Sequence, residues 1–344
     1  MKVAFIIPSL ANKGPVLVVK DLVSGLVKRG VQCVVYYFDD IHEVEMDAPT
    51  EQITFRKRIP FDNFDVVHSH GIRPDAYVFF HKPKSCSARC ISTLHNYMNV
   101  DLAYQHNAFI AFFATKLWRF FLKKHDAIVV LSNDAKRYYQ SWFPNKPVEV
   151  VYNSRKIEVE NGEILFREND ILELKKTFSI IGVNALLTAT KGIDQIIDAL
   201  PFLSNHALVI LGSGKEVAKL KQQAIKNGVA NRCLFLGYQK NAYRYLKFYD
   251  IFALPSRAEG FPLTLLEAAQ YKKNTVCSNI NIFQELLTDN DVTFFELNNI
   301  PSLVDAIILA TRTDKGHLLF ETCSKKYSLD NFVIAYQSVY SLQS

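Results

Sequence analysis

The chain has 344 residues, 49% of them hydrophobic and 22% charged, which exceeds what one ordinary core needs and suits two folded domains, not a disordered chain. No apolar run reaches the length of a bilayer span, and Val3–Ile7 is stopped by Pro8, too short for a secretory leader. The expected location is therefore the cytoplasm, with the inner face of the cell membrane as the surface it could visit. The formal net charge of +6 lies entirely in residues 1–155, so an acidic partner, anionic lipid or a phosphate-bearing acceptor, would face that half; an ordinary mildly basic surface is the alternative. Nucleic acid is not expected, because no basic run with interleaved aromatics lies on a recognisable binding module.

Met1–Pro8 reads as a buried strand, followed by a loop from Ser9 to Pro15 and a helix whose apolar positions recur at Val18, Leu22 and Leu26. Gly30 ends it. Val31–Phe38, Phe64–His68, Cys90–Leu94, Ala127–Leu131 and Val148–Val151 continue an alternation of short apolar strands with helices. Within it, residues 108–124, AFIAFFATKLWRFFLKK, read as a helix with Lys116, Arg119 and Lys123 along one stripe. That helix is expected to be mostly buried in the first domain with one solvated stripe; peripheral membrane contact through 108–124 is the alternative. Residues 154–176 are charged and lack apolar periodicity, as a linker or rim would.

From Phe178 the alternation restarts, with strands at Phe178–Val183, Ala207–Leu211, Cys233–Leu236, Ile251–Leu254 and Thr275–Cys277 and a last helix over about Asn331–Leu342. Such a pattern implies an α/β protein with two Rossmann-like, doubly wound domains facing across a cleft, 1–155 and 156–344. Cys33, Cys233 and Cys277 fall inside strand-like runs and read as reduced core thiols, while Cys86 and Cys90 lack metal or redox spacing. Asp289-Asn290-Asp291 has the form of a metal-binding D-x-D but sits late, in a polar turn, and is discounted. No metal and no cofactor are expected.

The chemistry concentrates in Leu254–Gln270, LPSRAEGFPLTLLEAAQ. A strand ends at Leu254, a polar loop follows, and a helix begins near Leu263 behind Pro262, where a missing N–H is harmless. The amides of Leu263, Thr264 and Leu265 would then form a diphosphate site. Glu267, about one turn inside, suits the vicinal hydroxyls of a ribose, and Glu259, before the turn, suits the sugar beyond the phosphates. Equally, Glu267 could serve only the helix charge and Glu259 could be a solvated loop residue.

This stretch resembles the E-x7-E signature of the retaining nucleotide-sugar glycosyltransferases of family 4, which have the GT-B fold. Other segments fall in that family's order: FIIPSLANKGP at 5–15, DVVHSHG at 65–71, STLHN at 92–96, VVLSNDA at 129–135, VVYNS at 150–154, TKGIDQIIDAL at 190–200, LVILGSG at 208–214 and FLGYQ at 235–239. The resemblance implies that Glu267 holds the ribose, Glu259 the donor sugar and the backbone near Tyr238 the base. Lys191 would bind the diphosphate, assisted by the amides after Gly260 and Phe261. In the first domain it implies a phosphate approach at Gly14, His95 at the reacting centre and, more weakly, His70 on the acceptor side, and it implies that the last helix crosses back to this domain.

The implied activity is metal-independent, retaining transfer of a hexose or N-acetylhexosamine from a nucleotide diphosphate sugar, with UDP as the expected nucleotide. The implied acceptor is a glycan or a lipid-linked molecule in bacterial surface polysaccharide synthesis. Two departures from the family pattern stand out: Asn184 and Ala185 occupy the place of a usual phosphate-binding arginine, for which Arg257 is a candidate substitute, and Pro262 replaces a frequent glycine. The alternatives are a non-catalytic sugar-nucleotide or glycan-binding subunit, or another GT-B enzyme such as a nucleotide-sugar epimerase.

Overall fold

The computed structural model describes residues 1–99, 108–157 and 164–341. The chain divides into two compact units, Met1–Lys156 with the tail from Tyr327, and Ile157–Lys326.

The first unit is built on strands β1 (Lys2–Leu10), β2 (Gln32–His42), β3 (Thr50–Gln52), β4 (Val66–His70), β5 (Arg89–Leu94), β6 (Ala127–Val130) and β7 (Val148–Val150). They form one sheet in the order β3-β2-β1-β4-β5-β6-β7 with every neighbouring pair parallel. The centre of β1, Val3–Ile7, is wholly inaccessible to solvent, which is why it reads as a continuous apolar run with no alternation. Helices α1 (Gly14–Lys28), α2 (Ile72–His81), α3 (Ala108–Phe121) and α4 (Asn133–Gln140) connect these strands. Gly30, at φ +77°, takes the left-handed turn that releases the chain from α1 into β2.

The second unit carries β8 (Ser179–Asn184), β9 (His206–Leu211), β10 (Cys233–Gly237), β11 (Ile251–Leu254), β12 (Asn274–Ser278) and β13 (Thr293–Phe295). Their order is β10-β9-β8-β11-β12-β13, again parallel throughout. Its helices are α5 (Glu168–Lys175), α6 (Ile193–Ala199), α7 (Val217–Lys226), α8 (Leu263–Gln270), α9 (Asn281–Leu286), α10 (Ile300–Arg312) and α11 (Gly316–Lys326). The last helix, α12 (Leu329–Ser341), returns to the first unit. There a Cβ on Gly25 of α1 would lie 2.3 Å from Val333 Cγ2, so the two helices pack as closely as only a glycine allows. Tyr340 and Tyr336 of α12 reach the sheet, with hydroxyls 2.8 Å from His68 Nδ1 and 2.9 Å from Thr93 Oγ1.

Both sheets reverse winding direction once, between β1 and β4 in the first and between β8 and β11 in the second. Connections on either side of such a point leave the sheet in opposite directions and open a crevice at the carboxyl ends of the strands.

Three expectations need correction. Residues 154–176 are not a linker throughout. Residues 158–163 lie outside the described residues, but Glu168–Lys175 is a helix, seated by the wholly buried Ile171. Asn153 and Ser154 are buried, and Arg155 pairs with Asp21 at 3.4 Å. The helix over 108–121 is not mostly buried either. Ala111, Thr115 and Phe121 are covered and Trp118 half-covered, a stripe at i, i+4, i+7 and i+10, while its other phenylalanines are exposed. The final helix begins at Leu329, two residues before its expected start, and Leu342 lies outside the described residues.

Candidate active site

In the second unit two of the expected residues meet at the switch point. Lys191 follows β8 and Glu259 follows β11, the two strands that flank it. Although 68 residues apart in sequence, they meet: Lys191 Nζ donates to Glu259 Oε1 at 2.7 Å. Ser256 Oγ donates to the same oxygen at 2.6 Å. Glu259 is nearly covered, with 9% of its side chain exposed against 27% for Lys191, so the carboxylate is held within the loop and the ammonium faces outward. An ammonium has three N–H donors and this bond uses one.

The two loops are fitted together by backbone. Gly192, at φ +65°, brings its Cα so close to the neighbouring loop that a Cβ there would lie 2.0 Å from the Pro255 carbonyl oxygen. Gln195 Nε2 donates to that carbonyl at 2.8 Å, and the Arg257 amide donates to the Thr190 carbonyl at 2.7 Å. Ser278, at the end of β12, donates to the Ser256 carbonyl at 2.6 Å. The glycines after β9 repeat the device: Cβ atoms on Gly212 and Gly214 would lie 1.8 Å and 2.2 Å from the carbonyl oxygens of Ala185 and Leu187.

Arg257, the candidate substitute for the absent arginine, is engaged within its own unit. Its guanidinium makes a bidentate pair with Asp194, at 2.8 and 2.7 Å, and donates to the Ala189 carbonyl at 2.7 Å, so it braces the 3-10 turn that carries Lys191. Asn184 is committed as well, donating to the Ala242 carbonyl at 3.0 Å and accepting from Tyr249 at 2.9 Å. Lys191 itself ends the 3-10 turn Ala189–Lys191, and α6 starts two residues later at Ile193.

Helix α8 begins at Leu263 with Pro262 as its N-cap. The Leu265 amide donates to the Pro262 carbonyl at 3.1 Å, which leaves Leu263 and Thr264, without intrahelical partners, as the first-turn amides open to an anion. Gly260 and Phe261, which lead into the helix, are buried, and so is Glu267 in its second turn. Tyr238 is 52% exposed, directly after Gly237, which ends β10 at φ +70°. Asp291 of the D-x-D accepts from the Thr288 amide and hydroxyl at 2.8 Å and from Thr322 at 2.6 Å, a turn-stabilising role. Among the described residues no cluster of His, Cys, Asp or Glu could hold a metal ion.

In the first unit, Gly14 is the exposed first residue of α1 and not part of the preceding loop. His70 ends β4 and His95 follows β5, and the two rings are bonded, His70 Nδ1 to His95 Nε2 at 2.9 Å. His70 is buried, and its Nε2 has no hydrogen-bond partner. Burial lowers the His95 pKa to about 4 and drives that of His70 well below the ordinary histidine value, with the nearby His68 and His95 adding to the effect. Both rings are thus neutral near pH 7, donors and acceptors without charge.

Comparison with known proteins agrees with this architecture. Residues 13–158 match the family model "Glycosyltransferase Family 4" and residues 166–318 match "Glycosyl transferases group 1". The chain is 28% identical over 359 aligned residues to the O-antigen biosynthesis glycosyltransferase WclY of Escherichia coli, covering 99% of this chain and 98% of that protein. It is 23% identical, over 80% of this chain and 73% of the relative, to the E. coli UDP-Gal:alpha-D-GlcNAc-diphosphoundecaprenol alpha-1,3-galactosyltransferase. Its fold is similar to that of Anabaena Alr3699/HepE in complex with UDP-glucose, with a TM-score of 0.77 at 17% identity over 99% of this chain and 100% of the other. The chain is a glycosyltransferase of GT-B fold, its first unit matching the family 4 model and its second the group 1 model.

Proposed function

We propose that the chain transfers a hexose or N-acetylhexosamine, with retention, from a UDP-sugar to a glycan or lipid-linked acceptor in bacterial surface polysaccharide synthesis. The observation that carries the donor half of this reading is the Lys191–Glu259 contact across the switch point of the second sheet. Lys191 and the first-turn amides of α8 receive the diphosphate and stabilise the charge that builds on it as the bond to the anomeric carbon breaks. Glu259 has both its bonds on Oε1, and Oε2 takes a hydroxyl of the donor sugar. Glu267 holds the ribose, and the backbone at Tyr238 the base. No metal ion has a role in this scheme.

The leaving diphosphate keeps the electron pair of the broken bond. The acceptor hydroxyl attacks from the face it leaves, and its proton passes to the departing phosphate oxygen. His95, held neutral, suits a centre of oxocarbenium character, where a second positive charge would be unfavourable. His70 orients His95 and borders the acceptor side, and Gly14 lies by the phosphates. The likeness to WclY supports the polysaccharide setting, and the UDP-Gal-dependent relative supports a UDP-sugar and a lipid-linked acceptor.

The commitment of both Asn184 and Arg257 leaves one phosphate cation fewer than the family pattern, which favours a binding subunit as the second reading. Incubation with individual UDP-hexoses and a lipid-linked glycan acceptor, followed by product analysis, separates these. The expected result is acceptor-dependent UDP release that Glu259→Ala lowers by at least about 100-fold, with donor binding retained. Conversion of donor alone would identify an epimerase, and donor binding without transfer to any acceptor a binding subunit.

A further inference from the structure

The outer face of α3 plays no part in the donor site, and it carries an unusual combination of side chains. Phe109, Ile110, Phe112, Phe113, Leu117 and Phe120 are each between 45% and 73% exposed, although scattered apolar residues, not contiguous rows of aromatics, are the rule on a protein surface. The rings touch one another: Phe109 and Phe113 have centroids 4.7 Å apart, and Phe112 and Phe113 5.5 Å. The patch continues onto α2, where Phe79 lies 4.7 Å from Phe120.

Cations are interleaved with these rings. Lys116 Nζ lies 4.1 Å from the Phe112 centroid, Lys123 Nζ 5.2 Å from Phe120 and Lys124 Nζ 4.9 Å from Phe79. Among the described residues none of the three ammonium groups forms an ion pair with a carboxylate. The helix is nevertheless firmly anchored on its inner side, where the Trp118 indole donates to the buried Asp75 carboxylate at 2.6 Å. The helix thus presents phenylalanines with lysines beside them that, among the described residues, pair with no carboxylate.

We propose that this face of α3 docks on an anionic lipid bilayer, with the phenylalanines at the level of the upper acyl chains and the lysines among the headgroups. A protein partner covering the same face would have to supply a carboxylate to each lysine as it buried the rings, or strand buried charges. A lipid surface supplies apolar depth and anionic headgroups in the layered order that aromatic rings with snorkelling lysines require. The charge distribution agrees, because the entire positive excess of the chain lies in residues 1–155. This extends the reading of a lipid-linked acceptor to the surface on which that acceptor would lie, but docking requires no turnover and is tested without it.

The experiment is flotation of the full chain with vesicles of phosphatidylcholine mixed with phosphatidylglycerol, and with vesicles of phosphatidylcholine alone, at low and high salt. The chain is expected to float with the anionic vesicles and to do so less at high salt. The Phe112→Ser/Phe113→Ser double variant is expected to lower the partition coefficient about tenfold or more. Lys116→Glu/Lys123→Glu should lower binding to anionic vesicles by a similar factor. These positions are exposed, so both variants should keep the wild-type melting temperature. Absence of binding to anionic vesicles, or binding that the serine variant leaves unchanged, would overturn the proposal. So would a wild-type dimer that the serine variant makes monomeric, since a second copy would then be the occupant of the face.

Discussion

Gly192 concentrates the local requirements of the donor site in one residue. It must take φ +65° and must lack a Cβ, because the Pro255 carbonyl occupies that space. An L-residue in this conformation costs about 1–2 kcal/mol before any clash is counted, and relief of the clash would push the 3-10 turn bearing Lys191 away from Glu259. Gly192→Ala is therefore expected to lower stability by about 2 kcal/mol or more and to abolish transfer, measured by denaturant melting and UDP release. A variant with unchanged stability and turnover would show that the turn relaxes freely and that the Lys191–Glu259 contact does not depend on its fit. This requirement is not legible in the sequence, because Gly192 and Pro255 meet only once β8 and β11 lie side by side. Glu259 and Lys191 were legible as separate motif positions; their contact and the bracing of Lys191 by Arg257 were not. The same limit hid the His70–His95 bond, whose partners end one strand and follow its neighbour.

At the scale of elements, the strands read most closely are runs of buried apolar residues, although the half-buried β10 was also read. β1, β8, β9 and β11 are runs of apolar residues that end within two residues of where composition places them. β3, Thr50–Gln52, is exposed at all three positions and carries no apolar signal, so only its pairing with β2 makes it a strand. α5 was lost among charges because it buries little beyond Ile171. Helix α3 was legible as a helix but not as an exposed one, since its inner stripe and its outer face both carry aromatic residues. Its position depends on a polar anchor: Asp75, wholly buried, accepts from Ser69 at 2.6 Å and from Trp118 at 2.6 Å. Trp118→Phe keeps the ring but removes one donor from that carboxylate, and is expected to destabilise the chain by about 1–3 kcal/mol. Chemical denaturation measures this, and an unchanged midpoint would place the anchor elsewhere.

Across the whole molecule, the buried histidines of the first unit set a pH response. Burial lowers His95 to about 4 and His125 to about 3 from an ordinary 6.5, and His68 and His70 shift in the same direction. Between pH 6.5 and 4 the unfolded chain therefore binds protons that the folded chain refuses. Stability from these groups is complete above pH 6.5 and falls as the pH is lowered through that window. Asp75 acts in opposition. Burial raises it to about 6 from 3.8, so its contribution is present at low pH and lost as the pH rises through about 6. His206 of the second unit shifts with the four histidines and Asp21 with Asp75, and five histidines against two carboxylates give a melting temperature expected to drop steadily from pH 6.5 toward 4, followed by scanning calorimetry. A rise over that interval would mean that the carboxylates govern the acid response.

Both units repeat one arrangement, a parallel sheet with a single switch point, and the proposed function assigns the cation, the helix amides and the carboxylates of the second to a sugar diphosphate. The most direct test of that claim is the change in melting temperature of the full chain produced by UDP and UDP-hexoses, compared between the wild type and Lys191→Ala. A ligand that binds only the folded form raises the melting temperature by an amount that grows with the logarithm of its concentration over its dissociation constant. The wild type should show a clear rise with at least one UDP-hexose. Loss of one charge-assisted contact should weaken binding about tenfold to 100-fold and shrink the rise in Lys191→Ala accordingly. An equal rise in both proteins would put the diphosphate elsewhere and contradict the account.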